Sequence, residues 1–436
     1  MARSDQAPLN HSALIGAYLA VNAISDAYML VDSTDCSLYK AQYIHGRHDW
    51  NSTLLRCDGR HRISFSNVCV QGAVQNHERP LRARVNAIAD IPGVGAIFVA
   101  AMPLCSLTCV DYGRMLRETR GLSLPSFEVP AESLSGDWLD GYATLLETIA
   151  RRADFAPARK TPGSVALIGH MMDRNEGDQR GNLEEIERLL GLLGLSVAST
   201  WLDGGAYSSL AEAMRAELIV SLPYARAAAR AVAARGGAPL VETCLPFGME
   251  STERFLRDVA SAAGRVKECE VAIAQERRRV TRGLRWLLPH LFVGRRAAFV
   301  GDPHLAAGFA QIAADLGLRM SGYVVTGRRR HAEVSAGDGV PVLYEPGAAS
   351  EELLRLLSRP ADVLVGATIP MGELYDEGVP VVEVGFPSYW QHALSRRPYL
   401  GYEGFLSVVD RMADALAGRI RASSVERITA KSARLA

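Results

Sequence analysis

Short β-branched apolar runs alternate with amphipathic stretches along most of this 436-residue chain, and that alternation limits the folds open to it. "SVALIGH" (164–170) is followed by a polar turn and then by "NLEEIERLLGLLG" (182–194). There Leu183, Ile186, Leu189, Leu190 and Leu193 form a stripe at helical spacing, Asn182 can cap, and Glu185 sits at the capping-box position. Gly194 closes that helix and "LSVAST" resumes a strand. "AELIVSL", "ARAAARAVAARGG" and "APLVETCLPFG" continue the pattern as strand, helix and strand. In "RRAAFVGD" Asp302 can cap the next helix, and Pro303 suits its first turn. "RMSGYVVTG", "ADVLVGAT" and "VPVVEVGFP" read as further buried strands. Such a chain builds parallel sheets covered by helices on both faces.

The first third is less regular, yet "AYMLVDST" and "GVGAIFVAAM" read as strands of a similar sheet. Two stretches mark boundaries. "RRADFAPARKTPG" (151–163) is rich in Arg, Lys, Pro and Gly, and "KECEVAIAQERRRVTRGLRWLLPH" (267–290) reads as a long charged helix joining two units. The expected fold class is therefore α/β, with three Rossmann-like parallel-sheet domains at about 1–155, 163–265 and 292–436.

Composition excludes several classes of function. The 48 basic residues are balanced by 48 acidic ones, which gives no electrostatic reason to expect nucleic acid or an anionic membrane. The longest apolar stretch, "SALIGAYLAVNAISDAYMLVD", is interrupted by Asn22 and Asp26 and reads as a buried helix followed by a buried strand. A cytoplasmic location is expected. No G-x-G-x-x-G follows a strand and no G-x-x-x-x-G-K-[ST] occurs, so no nucleotide is expected on this chain. G-x-S-x-G and H-E-x-x-H are also missing. His45 and His48 in "YIHGRHD" are read as a solvated loop.

The cysteines stand out. Five of the seven (Cys36, Cys57, Cys69, Cys105 and Cys109) fall in the first 110 residues, and an odd number in a chain this long argues against a disulfide scaffold. Cys36 follows one expected strand and Cys105 another, so both belong at the carboxyl ends of parallel strands, where open α/β sheets build their sites. If 105–109 is helical, Cys105 and Cys109 share a face. Thiolates suit iron–sulfur clusters, although C-x₂-C runs are lacking and buried Cys is also a common small core residue. Cys244 and Cys269 read as structural.

Residues 379–416, "VPVVEVGFPSYWQHALSRRPYLGYEGFLSVVDRMADAL", resemble the C-terminal region of the nitrogenase component 1 family, nearest to its β-type subunits. "LPFGMESTERFLRDVA" (245–260), "GRRAAFVGDPHLAAGFAQIAADLGL" (294–318) and "GDQRGNLEEIERLLGLLGLSV" are similar to further elements of that family. The resemblance implies a β-like subunit of a nitrogenase-like oxidoreductase complex, paired with an α-like homologous subunit in an α2β2 heterotetramer. An interfacial iron–sulfur cluster, [4Fe-4S] or P-cluster-like [8Fe-7S], would take electrons from a separate ATP-hydrolysing iron protein. It would pass them to a substrate site in, or shared with, the α-like partner. Carried over residue by residue, Cys36 falls at the family's first cluster cysteine and Cys57 near the second. The third position holds Pro103, so Cys105 or Cys109 would replace it, or the cluster differs in nuclearity or ligation. Cys69 falls on no family ligand. The Cys and His that hold the catalytic cofactor in the family's α subunit would fall around Leu222 and Pro223 and at Leu400, so this chain lacks both and no catalytic residue is assigned. Candidate substrates are a tetrapyrrole double bond, a carbon–sulfur bond or dinitrogen. The other reading is a non-catalytic scaffold for assembling a metal–sulfur cofactor.

Overall fold

The computed structural model describes residues 10–34, 36–55, 61–68, 77–102, 105, 110–130, 136–348, 350–368 and 378–433; the side chains of 36–38 and 421–433 lie outside that description. The chain opens with α1 (Ala13–Asn22), every residue of which is buried, and β1 (Ala27–Asp32). There follow α2 (Cys36–Gln42), β2 (Ile63–Phe65), α3 (Glu78–Ala89), β3 (Ala96–Ala101), α4 (Tyr112–Arg117), β4 (Ser126–Glu128) and α5 (Trp138–Arg152). The strands pair in the order β2-β1-β3-β4, all parallel. β1 and β3 are buried at every position, as expected of strands covered on both faces.

A second parallel sheet, ordered β6-β5-β7-β8, is built from β5 (Thr161–Ile168), α6 (Gly177–Leu192), β6 (Ser196–Thr200), β7 (Ala216–Ser221), α7 (Arg226–Gly236) and β8 (Leu240–Glu242). Helices α8 (Met249–Ala263) and α9 (Val266–Leu284) lead out of it. The third parallel sheet is ordered β11-β10-β9-β12-β13. It comes from β9 (Arg296–Gly301), α10 (Pro303–Asp315), β10 (Arg319–Val325), β11 (Val342–Tyr344), α11 (Glu351–Leu357), β12 (Val363–Gly366) and β13 (Val381–Glu383). The last helix, α12 (Gly401–Ala433), packs on α6 as well as on β12 and β13, tying the second and third sheets together. The α/β class with three parallel sheets is as the sequence suggested.

Local chemistry explains the element ends. Asp137 and Asp140 form a capping box at the start of α5, and the Asp302 carboxylate accepts from the backbone N–H groups of His304 and Leu305 with Pro303 in the first turn of α10. The start expected for α6 is corrected: Glu176 rather than Asn182 precedes the helix, which begins at Gly177, six residues earlier. Asn182 lies inside it, where its Oδ1 accepts the backbone N–H groups of Tyr399 (2.8 Å) and Leu400 (3.0 Å).

One apolar core runs through the molecule and holds Phe98, Trp138, Trp201, Phe299 and Tyr402, with a smaller cluster on the outer face of the first sheet. Each such side chain, fully buried, contributes about 1.5–3 kcal/mol. Helices α1 and α5 meet backbone to backbone. A Cβ on Gly16 would lie 1.7 Å from the Trp138 carbonyl oxygen, and one on Gly141 1.8 Å from that of Ala13. No helix among the described residues is long and apolar enough to cross a membrane.

Candidate functional site

In the first sheet the strand order reverses between β1 and β3, where connections depart to opposite sides and leave a crevice at the carboxyl ends. Asp32, the last residue of β1, is in register with Ala101, the last of β3. The backbone enters α2 at Cys36, four residues beyond Asp32, and reaches Cys105 four residues beyond Ala101. The two cysteines that the sequence placed at strand ends therefore belong to neighbouring loops on one crevice. Cys57, Cys69 and Cys109 lie outside the described residues.

A buried polar network fixes these loops. The Asp32 carboxylate, fully buried, accepts from Tyr112 Oη (2.6 Å) and Ser66 Oγ (2.6 Å), and its Oδ2 lies 2.7 Å from His77 Nε2. Ser66 also accepts from the Ser33 backbone N–H at 3.0 Å, and Met102 donates its N–H to the Asp32 carbonyl at 3.0 Å. Burial, and then the Asp32 carboxylate, raises the Tyr112 phenol well above its ordinary value, so it stays a donor. The same two causes push the Cys105 thiol up to about 12. That side chain is 1 % exposed and packs in the smaller apolar cluster. With no metal Cys105 is a protonated core thiol, and as a ligand it would bind as thiolate, its proton being displaced to solvent. One buried thiol, Cys105, beside the switch point, with the backbone of Cys36 entering α2 across it, is chemistry that fits an iron–sulfur group. Nothing in the sequence singled out Ser66, His77 or Tyr112, which lie on separate segments: after β2, just before α3 and at the start of α4.

The crevices of the second and third sheets face each other. Leu222 and Leu400, where the family's cofactor ligands would fall, are both buried apolar side chains. Around them Tyr224 donates to Asp302 (3.2 Å), Gln179 donates to Asp173 and to Tyr399 Oη (2.7 Å), and Tyr142 donates to the His170 carbonyl (2.8 Å). Burial pushes Asp173 up to about 8 and Asp302 to about 6, while it lowers His170 to about 4 and His304 to about 3. The junction is thus filled with hydrogen-bonded tyrosines, neutral imidazoles and carboxyls of weakened acidity. His48 is the second correction. It is fully buried rather than solvated, with its Nδ1 accepting the Ser388 backbone N–H at 2.9 Å and its Nε2 3.7 Å from Asp173.

Asp137, Asp140 and His331 are the one group of metal-capable side chains that converge among the described residues. Asp137 already caps α5 and accepts the Arg328 N–H (3.1 Å), His331 Nε2 lies 3.0 Å from both its oxygens, and Arg330 pairs with Asp140. Burial opposes the charge on Asp137, yet His331 holds its pKa down at about 2. The Arg330 guanidinium, the Arg328 backbone N–H and a helix N-terminus make this a staple between the first and third sheets rather than a cation site.

A model of the family described as nitrogenase component 1 type oxidoreductase matches residues 12–417. The chain belongs to that family. Its relatives include the nitrogenase molybdenum-iron protein beta chain of Bradyrhizobium sp. (strain ANU 289), 26% identical over 356 residues, covering 72% of this chain and 68% of that one. The corresponding beta chain of Bradyrhizobium diazoefficiens is 27% identical over 333 residues, 67% of this chain and 62% of its own length. This chain thus spans about two thirds of the length of these beta chains. In fold it is similar to the solved "Nitrogenase Cp1 at pH 6.5", with a TM-score of 0.79 at 18% identity over 95% of this chain and 93% of that one. The component 1 fold and the likeness to beta chains agree with the resemblance carried by residues 379–416.

Proposed function

We propose that the chain is the β-like subunit of a nitrogenase-like oxidoreductase, in three units at about 1–155, 163–265 and 292–436. Cys36 and Cys105 would hold an interfacial iron–sulfur cluster, with Cys57 and Cys109 as further ligands. The observation that carries this is the switch point of the first sheet, where a member of this family places two cysteine-bearing loops side by side. When bound, such a cluster takes up and releases single electrons. The chain's own residues do the rest. Asp32, tied to Ser66, His77 and Tyr112, fixes the loop ends, and the apolar cluster around Cys105 keeps water away.

Electrons would come from an ATP-dependent iron protein and leave for a substrate site in, or shared with, an α-like homologous subunit of an α2β2 assembly. The partner reading is supported by large apolar side chains left exposed, one of them close to Cys36 in sequence and others beside Glu176. Tyr39 lies on α2 and is 68% exposed; Trp50, Trp390 and Leu394 are 63, 60 and 96% exposed, and Trp50 stacks on His392 at 3.9 Å. A monomer rarely leaves such groups in water. Leu222 and Leu400 leave any nitrogenase-type metal cofactor to the partner.

A second reading, a non-catalytic scaffold on which a metal–sulfur cofactor is assembled, is favoured by Pro103 at the expected third cysteine. The test is anaerobic purification with the α-like subunit, followed by addition of the iron protein, ATP and dithionite. ATP-dependent consumption of electrons with a tetrapyrrole, a thioether or dinitrogen supports the reductase. Transfer of metal–sulfur cluster to an apo-acceptor without electron consumption supports the scaffold. A metal-free complex that does neither overturns both.

A further inference from the structure

A cleft of about 540 Å³ runs along the seam between α6 and α12, with the 396–398 segment at one end. Most of its rim charges are matched, and the exposed Asp410 carboxylate also lines it. Arg396 pairs with Glu184 (2.6 Å), Arg188 with Glu185 (2.6 Å), and Arg279 reaches Glu403 (2.8 Å). Its floor differs. Arg397 lines the cleft, and Arg411 lies one helical turn beyond the lining residue Ser407 on the same face of α12. Arg397 Nη2 donates only weakly to the His392 carbonyl (3.3 Å), and Arg411 Nη1 donates to the Glu383 carbonyl (2.9 Å). Arg397 Nε, Arg411 Nε and Nη2, and Ser407 Oγ are shut off from solvent and have no hydrogen-bond partner.

Among the described residues neither arginine forms an ion pair. Asp178 is engaged by Arg174, which also faces Glu176 at 3.6 Å. Burial lowers the Arg411 pKa to about 10, and the neighbouring Arg397 charge lowers it further in the same direction. Two guanidiniums and a hydroxyl with four idle donors are costly in a folded interior unless an acceptor with negative charge completes them. A planar fork of N–H groups matches a carboxylate or a tetrahedral oxyanion, and charge-assisted bonds to it are the strong kind.

We infer that the inner end of this cleft is an anion site, at which Arg397, Arg411 and Ser407 bind a small oxyanion group, phosphate or carboxylate. Filling it would brace the seam between the second and third sheets, away from the cysteine-bearing crevice of the first. The site is therefore independent of the cluster reading.

The test is isothermal titration of the full-length protein with inorganic phosphate and, in a parallel arm, with malonate, alongside R397Q, R411Q and S407A. Saturable binding of either anion, weakened about tenfold or more in R397Q and R411Q, is expected. Which anion binds more tightly identifies the source. Should either arginine variant fail to fold, S407A, which removes only a hydroxyl, must still weaken binding measurably. Absence of saturable binding of both anions to the wild-type protein overturns the inference, as does unchanged affinity in the folded variants.

Discussion

Glu176 joins all three sheets through one side chain, so its removal should be felt throughout the molecule. Its Oε1 accepts the Trp50 backbone N–H (3.0 Å) and lies 2.8 Å from His392 Nδ1, while Oε2 accepts the Ala393 N–H (2.9 Å) and faces Arg174 at 3.6 Å. The carboxylate is 3% exposed. Glu176→Ala strands the buried Ala393 donor and weakens the neutralisation of Arg174, although Asp178 still holds that guanidinium. An unsatisfied buried donor costs about 1–3 kcal/mol, and breaking a buried charged network costs about 3–5 kcal/mol. A loss of about 3 kcal/mol is therefore expected. With an m-value of about 3 kcal/mol/M it lowers the urea midpoint by roughly 1 M. Tryptophan fluorescence would report the transition, with Trp50 released from its stack on His392. Glu176→Gln, which keeps one acceptor oxygen, should lose about half as much. A midpoint within about 0.2 M of wild type for the alanine variant would refute the reasoning.

Three further outcomes are expected. His48 and His170 are buried neutral, as is His304, whose pKa is lowered to about 3, so the unfolded chain takes up protons below pH 6.5 that the folded one refuses. Asp173 works the other way, since it keeps its proton in the fold up to about pH 8 and loses that advantage as pH rises. Stability should peak at about pH 7 and fall on both sides, more steeply in acid; midpoints that climb steadily from pH 5 to 9 would contradict this. Gly16→Ala should unfold the first unit or prevent its expression in soluble form, because the new methyl meets the Trp138 carbonyl; circular dichroism indistinguishable from wild type would count against the α1–α5 contact. His331→Ala should lower the urea midpoint modestly, by about 1–2 kcal/mol of lost stability, and the added N–H acceptance left on Asp137 should keep α5 folded.

Much of the fold was legible because it is written in local periodicity. β1 and β3 are unbroken apolar runs, and Asp302 with Pro303 announces α10 from adjacent residues. The errors share a cause: contacts far apart in sequence. Asn182 looked like a cap, but its oxygen serves Tyr399 and Leu400 more than 200 positions away. His48 sits in a polar local sequence and is buried by Ser388 and Phe386 from the third sheet. The three-residue strands β2, β4 and β11 went unread, whereas β8 and β13, equally short, were legible because they sit in longer apolar runs. At the candidate site, Cys36 and Cys105 were readable as strand-end residues. The Asp32 network was not, because Ser66, His77 and Tyr112 converge only through the sheet's topology.

Iron content tests the central claim most directly. Wild-type chain and its Cys36→Ala variant would be purified without oxygen, each together with the α-like subunit, and analysed for iron and acid-labile sulfide. The expected result is a brown wild-type complex with on the order of four or more irons per αβ pair, and a variant that keeps its fold by circular dichroism but loses most of that iron. A colourless wild-type complex, or equal iron in both, would contradict it.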